Sequence, residues 1–547
     1  MAHIGFFNIP GFGHVNITQG LVAELVARGH RVSYAVPAAY GAEIERAGAR
    51  LVPYDTTLTD PRATLAATAD PDRLTTVDYV HNLRGLTRET RTIVPPLLDA
   101  FRAEPPDLML YDGVLGWAGR IVADALGVPA IRCVPTLAVN EHWSLASAGY
   151  AHFDPADPEL AAVFREMGAL FQDLDAPGAA RDFFGAGAPG PRPTTLVFLP
   201  RALQCAGDTF DDSHHFVGPC AAPRTLDGGW TPPGDGRPVV LVSLGTVQSG
   251  RPGFFRDCVD ALRATDWHVV MAVGAHDPAG LGPLPPHIEA HAHVPQQAVL
   301  RHADAFVTHA GMGSVLEALS SAVPMVTVPQ MGEQRANADR LAELGIGVPL
   351  HRDALDPAAL RAAVAGLLGD PVAQERARAM REQIRAAGGP ARAADIVERH
   401  LPAVSTASAV SAATVASAVS TATAASAATF ASAVSTATAA SAASAATFAS
   451  TASTASTAPA ATFASTAPAA PFASAAPAAP FASTAPAAPF ASTASAAPAG
   501  SAVSAATFAS AATFASTAST ASTASTASAA SAAPAASTAS ARTEGAS

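Results

Sequence analysis

The chain has 547 residues, a formal net charge of −12 and four cysteines. The acidic charge argues against nucleic acids and anionic membranes as partners, and the cysteines lack the C-x-x-C spacing of a zinc site. No apolar stretch before residue 402 is long enough to span a membrane, and the N-terminus has no basic leader segment, so we expect a cytoplasmic protein.

Short apolar segments alternate with helical patterns in the first half of the chain. Strand-like segments occur at residues 3–8, 31–36, 108–111, 130–134 and 195–199. Between the first two, residues 17–28 carry apolar side chains at helical spacing, and Gly29 follows as a natural stop. This alternation of strands and helices predicts a parallel, doubly wound α/β sheet.

The sequence Gly-Phe-Gly-His-Val-Asn at residues 11–16 follows the first strand. Its glycines let the backbone approach a ligand closely, and His14 lies where the strand gives way to a helix. A histidine with a pKa near neutral suits a general base for a hydroxyl group, although a helix-capping histidine is the structural alternative. The string lacks the third glycine of a dinucleotide fingerprint, and the second strand ends without an acid, so NAD or FAD binding is disfavoured.

Asp112 directly follows the strand at residues 108–111. A carboxylate at this position can hold an imidazole in one tautomer and stabilise its protonated form, as the acid of a catalytic triad does. The alternative is a turn or cap residue at a strand end.

The segments at residues 55–95 and 138–192 are longer and less regular, and the second is rich in aromatic side chains. They either shape a pocket or pack as helices on their own sheet.

The second half of the chain begins after a stretch at residues 221–238 that is rich in Pro and Gly and is typical of an interdomain linker. A second α/β series starts at Val239 and ends with a charged helix at residues 391–400.

Residues 402–547 form a low-complexity tail of Ala, Ser, Thr and Pro in which large apolar side chains are sparse. Because such a tail cannot bury enough surface to fold, we expect it to be disordered. A glycosylated stalk, an interaction tail and a reading-frame artefact are alternative interpretations.

The most informative segment lies at residues 305–317, where an apolar strand is followed by a Gly-rich turn and a helix. We predict that Gly311 and Gly313 form a flexible turn and that Ser314 opens the helix. Backbone N–H groups and the positive end of the helix dipole then point at one spot, which favours a phosphate. His309 and Ser314 add side-chain hydrogen-bond donors there. One turn further along the helix, Glu317 can accept hydrogen bonds from ribose hydroxyls.

Glu333 and Gln334 come shortly after another strand, at residues 325–328. Open α/β sheets bind ligands at the carboxyl ends of their strands. A carboxylate beside an amide suits sugar hydroxyls. Together with the segment at residues 305–317, these residues predict a nucleotide-sugar site.

The segment from Val294 through Asn337 resembles the donor-binding signature of the family 1 glycosyltransferases, which use UDP-sugars. The motifs at residues 11–16, 25–32 and 239–246 extend the similarity to the bacterial macrolide glycosyltransferases. The resemblance covers residues 1–401. It implies an α/β fold of two facing, doubly wound Rossmann-like domains of the glycosyltransferase B type, with a last helix that crosses back to the first domain.

The resemblance also implies a role for each part of the chain. An N-terminal acceptor-binding domain would span residues 1–220, an interdomain linker 221–238 and a C-terminal nucleotide-sugar-binding domain 239–401, followed by the tail at 402–547. The site residues that it implies are His14 as the catalytic base with Asp112 as its partner, Thr246, His309, Gly311, Gly313 and Ser314 at the diphosphate, Val294 at the uracil, Gln296 and Glu317 at the ribose, Glu333 and Gln334 at the sugar, and Asn337 in support of the phosphate loop. Many family members have Trp at position 294, and Val offers no stacking.

We therefore expect an enzyme that transfers glucose from UDP-glucose, with inversion, to a hydroxyl of a hydrophobic natural product, a macrolide above all. No metal and no prosthetic group are expected. The two Asp-x-Asp strings, at residues 70–72 and 173–175, are interpreted as surface loops. The alternatives are a dTDP-deoxysugar-dependent transferase, a sugar-nucleotide epimerase of the same fold and a non-catalytic sugar-nucleotide binder.

Overall fold

The computed structural model describes residues 1–58, 74–114, 117–152, 154, 156–184, 192–221, 230–245, 252–352 and 355–402. The predictions for the tail, for Thr246 and for the Asp-x-Asp string at residues 70–72 fall outside these residues, as do residues 222–229 of the linker. Among the helices of the described part, none combines the length and the apolar character needed to cross a bilayer.

The first half of the chain forms a doubly wound sheet. Its strands are β1 (His3–Phe7), β2 (Arg31–Ala35), β3 (Arg50–Val52), β4 (Leu74–Thr75), β5 (Leu108–Asp112), β6 (Ala130–Val134), β7 (Ala151–His152), β8 (Thr195–Val197) and β9 (His214–Phe216). Seven of them pair in parallel in the order β3-β2-β1-β5-β6-β8-β9, and β4 pairs with β7 separately. The five strands predicted in this half are confirmed, with ends that shift by at most two residues.

Six α-helices connect these strands in the described part. They are α1 (Phe12–Ala27), α2 (Gly41–Arg46), α3 (Thr76–Ala103), α4 (Trp117–Leu126), α5 (Pro158–Asp173) and α6 (Pro177–Phe184). In the described part of residues 55–95, α3 covers residues 76–95, as the alternative of packed helices expects. A capping box starts α3, since the backbone N–H of Asp78 donates to Thr75 and the Asp78 carboxylate accepts from the Thr75 N–H.

The second half repeats the architecture with a smaller sheet. Its strands are β10 (Val239–Ser243), β11 (His268–Ala272), β12 (Ile288–His291), β13 (Ala305–Thr308), β14 (Met325–Thr327) and β15 (Gly347–Pro349), and its helices are α7 (Pro252–Leu262), α8 (Gln296–Leu300), α9 (Met312–Ser320), α10 (Gly332–Glu343), α11 (Pro357–Leu368), α12 (Pro371–Ala386) and α13 (Gly389–His400). All six strands are parallel, in the order β12-β11-β10-β13-β14-β15.

The central strands of both sheets are buried on both faces. Every residue of β5, and likewise every residue of β10, is buried. Parallel sheets carry helices on both sides, which explains why these strands are almost continuous apolar runs and not alternating patterns. The carboxyl ends of β1 and β5 lie side by side, and so do those of β10, β13 and β14. The candidate site residues follow these strand ends.

The last helix returns to the first half of the chain, as the resemblance implies. Arg28, directly after α1, lies 2.7 Å from a carboxylate oxygen of Asp395 and 2.9 Å from one of Glu398 on α13. His30 lies 3.0 Å from the other Glu398 oxygen. Surface ion pairs of this kind contribute little each, so the network fixes the orientation of α13 more than it stabilises the fold.

Candidate active site

His14 and Asp112 meet because their strands are neighbours. Phe7 of β1 is in register with Tyr111 of β5, so the ends of both strands share one edge of the sheet. His14 lies in the first turn of α1, and its Nδ1 is 2.6 Å from Oδ2 of Asp112. Both side chains are almost inaccessible, with 3% and 2% of their surface exposed. The sequence prediction of a His–Asp pair therefore corresponds to a direct contact.

The contact fixes which nitrogen of the ring can react. The second carboxylate oxygen of Asp112 accepts from the backbone N–H of Val114 at 2.9 Å, which orients the carboxylate. Nδ1–H of His14 donates to this carboxylate, so Nε2 carries the free lone pair. No side chain or backbone group of the described residues forms a hydrogen bond with Nε2. The arrangement can take a proton from a hydroxyl group placed at Nε2.

Two neighbours hold the His14 ring and backbone in place. A Cβ atom added at Gly11 would lie 3.0 Å from Cδ2 of the imidazole, so the glycine leaves room for the ring. The amide of Asn8 donates to the backbone carbonyl of His14 at 3.0 Å and to the hydroxyl of Tyr34 at 2.7 Å. Asn8, at the end of β1, was not predicted from the sequence.

The turn after β13 differs from the prediction in detail. Helix α9 begins at Met312 and not at Ser314, which lies inside its first turn. Gly311 caps the helix with an ordinary φ of −63°, and Gly313 is helical. The residue with the left-handed backbone is Ala310, with a φ of 63°. The first N–H groups of α9 lack intrahelical acceptors and are available to an anion.

The side chain of His309 explains why residue 311 is a glycine. A Cβ atom added at Gly311 would lie 2.4 Å from Nε2 of the imidazole, and one added at Gly245 would lie 2.7 Å from Cε1. The ring therefore occupies a slot between two glycines, one after β10 and one after β13. Burial lowers the pKa of His309 to about 4, so at neutral pH the ring is neutral and carries one N–H donor.

The residues predicted to hold the nucleoside form one hydrogen-bonded group. The amide of Gln296 lies 2.8 Å from a carboxylate oxygen of Glu317 and 3.4 Å from Oγ of Ser314. The other carboxylate oxygen of Glu317 accepts from Gln297 at 3.2 Å. Val294 is partly buried just before α8. The structure thus brings Gln296, Ser314 and Glu317 together at the start of α8 and along α9, with Val294 two residues before Gln296.

Glu333, Gln334 and Asn337 are all buried on α10. The amide of Asn337 donates to Oε1 of Glu333 and to the carbonyl of Ala310, both at 2.9 Å, and so connects α10 to the turn before α9. Gln334 accepts from the N–H of Gln330 at 2.9 Å. Oε1 of Glu333 also accepts from Oγ1 of Thr136 at 2.9 Å. Sequence reasoning missed Thr136, although its position just after β6 is where ligand-binding residues collect.

The remaining predicted features concern metals. Asp173 ends α5 and pairs with Arg91 at 3.2 Å, while Asp175 has a left-handed φ of 47° in the turn that follows. The prediction of a surface loop at residues 173–175 is therefore correct only for the part after Asp173. Within the described ranges, no group of three or more His, Cys, Asp or Glu residues is arranged to hold a metal ion.

Comparison with known proteins identifies the family. Residues 256–401 match the family model described as erythromycin biosynthesis protein CIII-like, C-terminal domain. The chain is 40% identical over 403 residues to the demethyllactenocin mycarosyltransferase of Streptomyces fradiae, a match covering 73% of this chain and 86% of that protein. It is 37% identical over 405 residues to the oleandomycin glycosyltransferase of Streptomyces antibioticus, covering 74% and 91%.

A solved structure shows the same fold. The calicheamicin glycosyltransferase CalG4 is 39% identical and superposes with a TM-score of 0.64, covering 74% of this chain and 99% of that one. Its match extends over both parallel sheets, which is the arrangement of the glycosyltransferase B fold. On the sequence and the structure together, the chain belongs to the family 1 glycosyltransferases, in the branch of the bacterial macrolide glycosyltransferases.

Proposed function

We propose that this glycosyltransferase transfers a hexose from a UDP-sugar to a hydroxyl of a hydrophobic natural product such as a macrolide. The favoured donor is UDP-glucose, and the transfer inverts the configuration at the anomeric carbon. The observation that carries the proposal is the buried His14–Asp112 pair at 2.6 Å, whose Nε2 is left without a hydrogen-bond partner among the described residues. An acceptor hydroxyl at Nε2 would give its proton to His14, while Asp112 holds the ring in the required tautomer.

The proposed reaction is a single displacement at the anomeric carbon. The acceptor O–H gives its proton to Nε2 of His14, while the oxygen attacks the anomeric carbon from the side opposite the nucleotide. The bond from that carbon to the diphosphate oxygen breaks, and UDP leaves with the bonding electron pair. Asp112 stabilises the imidazolium that forms, because its carboxylate already accepts from Nδ1.

The leaving diphosphate needs hydrogen-bond donors. His309, Ser314 and the N–H groups at the start of α9 supply them in this proposal, with Thr246 as a further hydroxyl. Val294, Gln296 and Glu317 would hold the nucleoside, and Glu333 and Gln334 the sugar. Residues 1–220 would then bind the acceptor and residues 239–401 the nucleotide sugar, with residues 221–238 as the linker.

The proposal predicts that Glu333→Ala weakens binding of UDP-glucose at least about tenfold and spares UDP. In this proposal the carboxylate binds sugar hydroxyls, and a hydrogen bond to a charged group is worth roughly 1.5–3 kcal/mol. Isothermal titration of both ligands measures the difference. An equal loss of UDP affinity would assign Glu333 a structural role, since it also accepts from Thr136 and Asn337.

Turnover should persist in excess EDTA. His309, Ser314 and backbone donors do the work that a divalent cation does in other transferases, so chelation removes nothing that the leaving group requires. Initial rates with and without EDTA, and after addition of Mn²⁺, test this expectation. A strict requirement for Mn²⁺ would contradict the proposed diphosphate site.

The decisive experiment is a screen of nucleotide sugars against hydrophobic acceptors, read by mass spectrometry. UDP- and dTDP-sugars are tested in parallel against macrolides and flavonoids. A dTDP-sugar is the second candidate, because the relative at 40% identity is named for transfer of mycarose and because Val294 offers no aromatic face to a base. Binding of a nucleotide sugar without a glycosylated product from any acceptor would favour a non-catalytic binder.

A further inference from the structure

The side chain of Gln204 joins two loops at the edge of the first sheet. It is fully buried, in the turn after β8. Its Oε1 accepts from the N–H of Ala138 at 2.8 Å, and its Nε2 donates to the carbonyls of Ala138 and Cys205, both at 3.0 Å. The amide satisfies both backbone polar groups of Ala138, as a paired strand would. The loop after β6 therefore cannot move independently of the loop after β8.

Both joined loops contact α10 of the second half. From the loop after β6, Thr136 donates to Glu333 at 2.9 Å. From the loop after β8, the carbonyls of Leu203 and Ala202 accept from Arg340 at 3.1 and 2.9 Å. Glu333 and Arg340 are seven residues apart on α10, which is about 10 Å along the helix axis. Two separated contacts fix both the position and the direction of α10 against the first half.

We infer that Gln204 is a positioning residue for recognition of the donor sugar. It touches neither the proposed sugar site nor His14, but it holds Thr136 where its hydroxyl orients the Glu333 carboxylate. The inference rests on the proposed role of Glu333 at the sugar. Small displacements of a positioned group have large effects on recognition. Loss of the Gln204 hydrogen bonds should therefore weaken binding of the sugar and not binding of the nucleotide.

The first test is Gln204→Glu in the full chain. The change keeps Oε1 as an acceptor for Ala138 but replaces the donating amide with an acceptor that faces two carbonyl oxygens. Titrations with UDP-glucose and with UDP give the ratio of the affinity for the sugar nucleotide to the affinity for the free nucleotide. Titrations with dTDP-glucose and with dTDP give the same ratio for the second candidate donor. We expect the affinity for the sugar nucleotide to fall about tenfold and that for the free nucleotide to change less than twofold. Gln204→Met, which has a similar volume and no charge, serves as the second variant.

A double-mutant cycle with Thr136→Val separates positioning from general destabilisation. If Gln204 acts through Thr136, its substitution should change the affinity ratio less than twofold once Thr136 is Val. A merely structural role would lower both affinities and add to the effect of Thr136→Val. Gln374→Glu controls for loss of an amide–carbonyl hydrogen bond, because the Gln374 amide donates to the carbonyl of Asp304 at 3.1 Å at an exposed position away from α10, and Gln204→Met controls for the buried charge.

The outcomes distinguish this inference from the proposed function. If Glu333→Ala leaves the ratio of sugar-nucleotide to nucleotide affinity unchanged, Glu333 does not read the sugar, and the inference falls with that assignment. If Glu333→Ala lowers this affinity ratio but neither Gln204 variant changes it, only the inference is overturned. If the Gln204 variants lower the ratio and have no effect on it in the Thr136→Val background, the positioning role is supported.

Discussion

Replacing His14 with Ala should lower kcat by about 10²–10⁴-fold, which is the range for loss of a general base. The affinity for UDP should not change, because His14 lies at the edge of the first sheet while the proposed nucleotide residues lie on the second. Asp112 keeps its hydrogen bond from the N–H of Val114, so the site should not collapse. Initial rates by mass spectrometry and UDP titration by calorimetry measure the two effects.

Two further variants make this result specific. Asp112→Asn should lower turnover, though less than His14→Ala, because the general base remains. The single amide oxygen can accept from Nδ1 or from the N–H of Val114 but not from both, and it does not balance the charge of the imidazolium. His30→Ala is the matched control, since His30 also pairs with a carboxylate, that of Glu398 at 3.0 Å, outside the site. Near-normal turnover in His14→Ala, or an equal loss in His30→Ala, would remove His14 from the mechanism.

The strands could be predicted because burial on both faces leaves a strong signal. The segments at residues 108–111 and 305–308 are apolar runs, and the structure places the fully buried strands β5 and β13 at those residues. The sequence leaves residues 55–95, which contain most of α3, open between a pocket-shaping segment and packed helices for the opposite reason. Helix α3 contains many polar residues, and Pro95 and Pro96 lie within it, where proline usually breaks a helix. The local pattern does not decide between the two, and packing against neighbouring helices does.

The site could be predicted where residues follow strand ends, and could not where contacts join distant segments. His14 and Asp112 each follow a central strand, so the sheet topology alone brings them together. The hydrogen bond between Thr136 and Glu333 joins residues 197 positions apart, and no local pattern marks it. The flexible turn was predicted at Gly311 and Gly313, but the residue with positive φ is Ala310, where glycine is the usual residue.

Gly311→Ala should weaken UDP binding by about 10- to 150-fold. Its φ of −63° suits alanine, so the backbone is not strained. The new Cβ would lie 2.4 Å from Nε2 of His309, and Gly245 closes the other side of the slot, so the ring must leave its position. The proposed hydrogen bond from His309 to the diphosphate is then lost, and such charge-assisted bonds are worth roughly 1.5–3 kcal/mol. Calorimetric titration with UDP measures the change.

Gly366→Ala supplies the control for that substitution, because Gly366 lies inside α11, away from the residues assigned to the nucleotide sugar. No atom comes within 4 Å of a Cβ added at Gly366. Alanine is also the better helix former, by about 1 kcal/mol, so this variant should bind UDP normally and unfold at the same or a slightly higher temperature. Normal UDP affinity in Gly311→Ala would show that the His309 ring does not need its slot to hold the diphosphate. An equal loss in both variants would show that the effect does not come from the slot, and His309 would lose its assigned role.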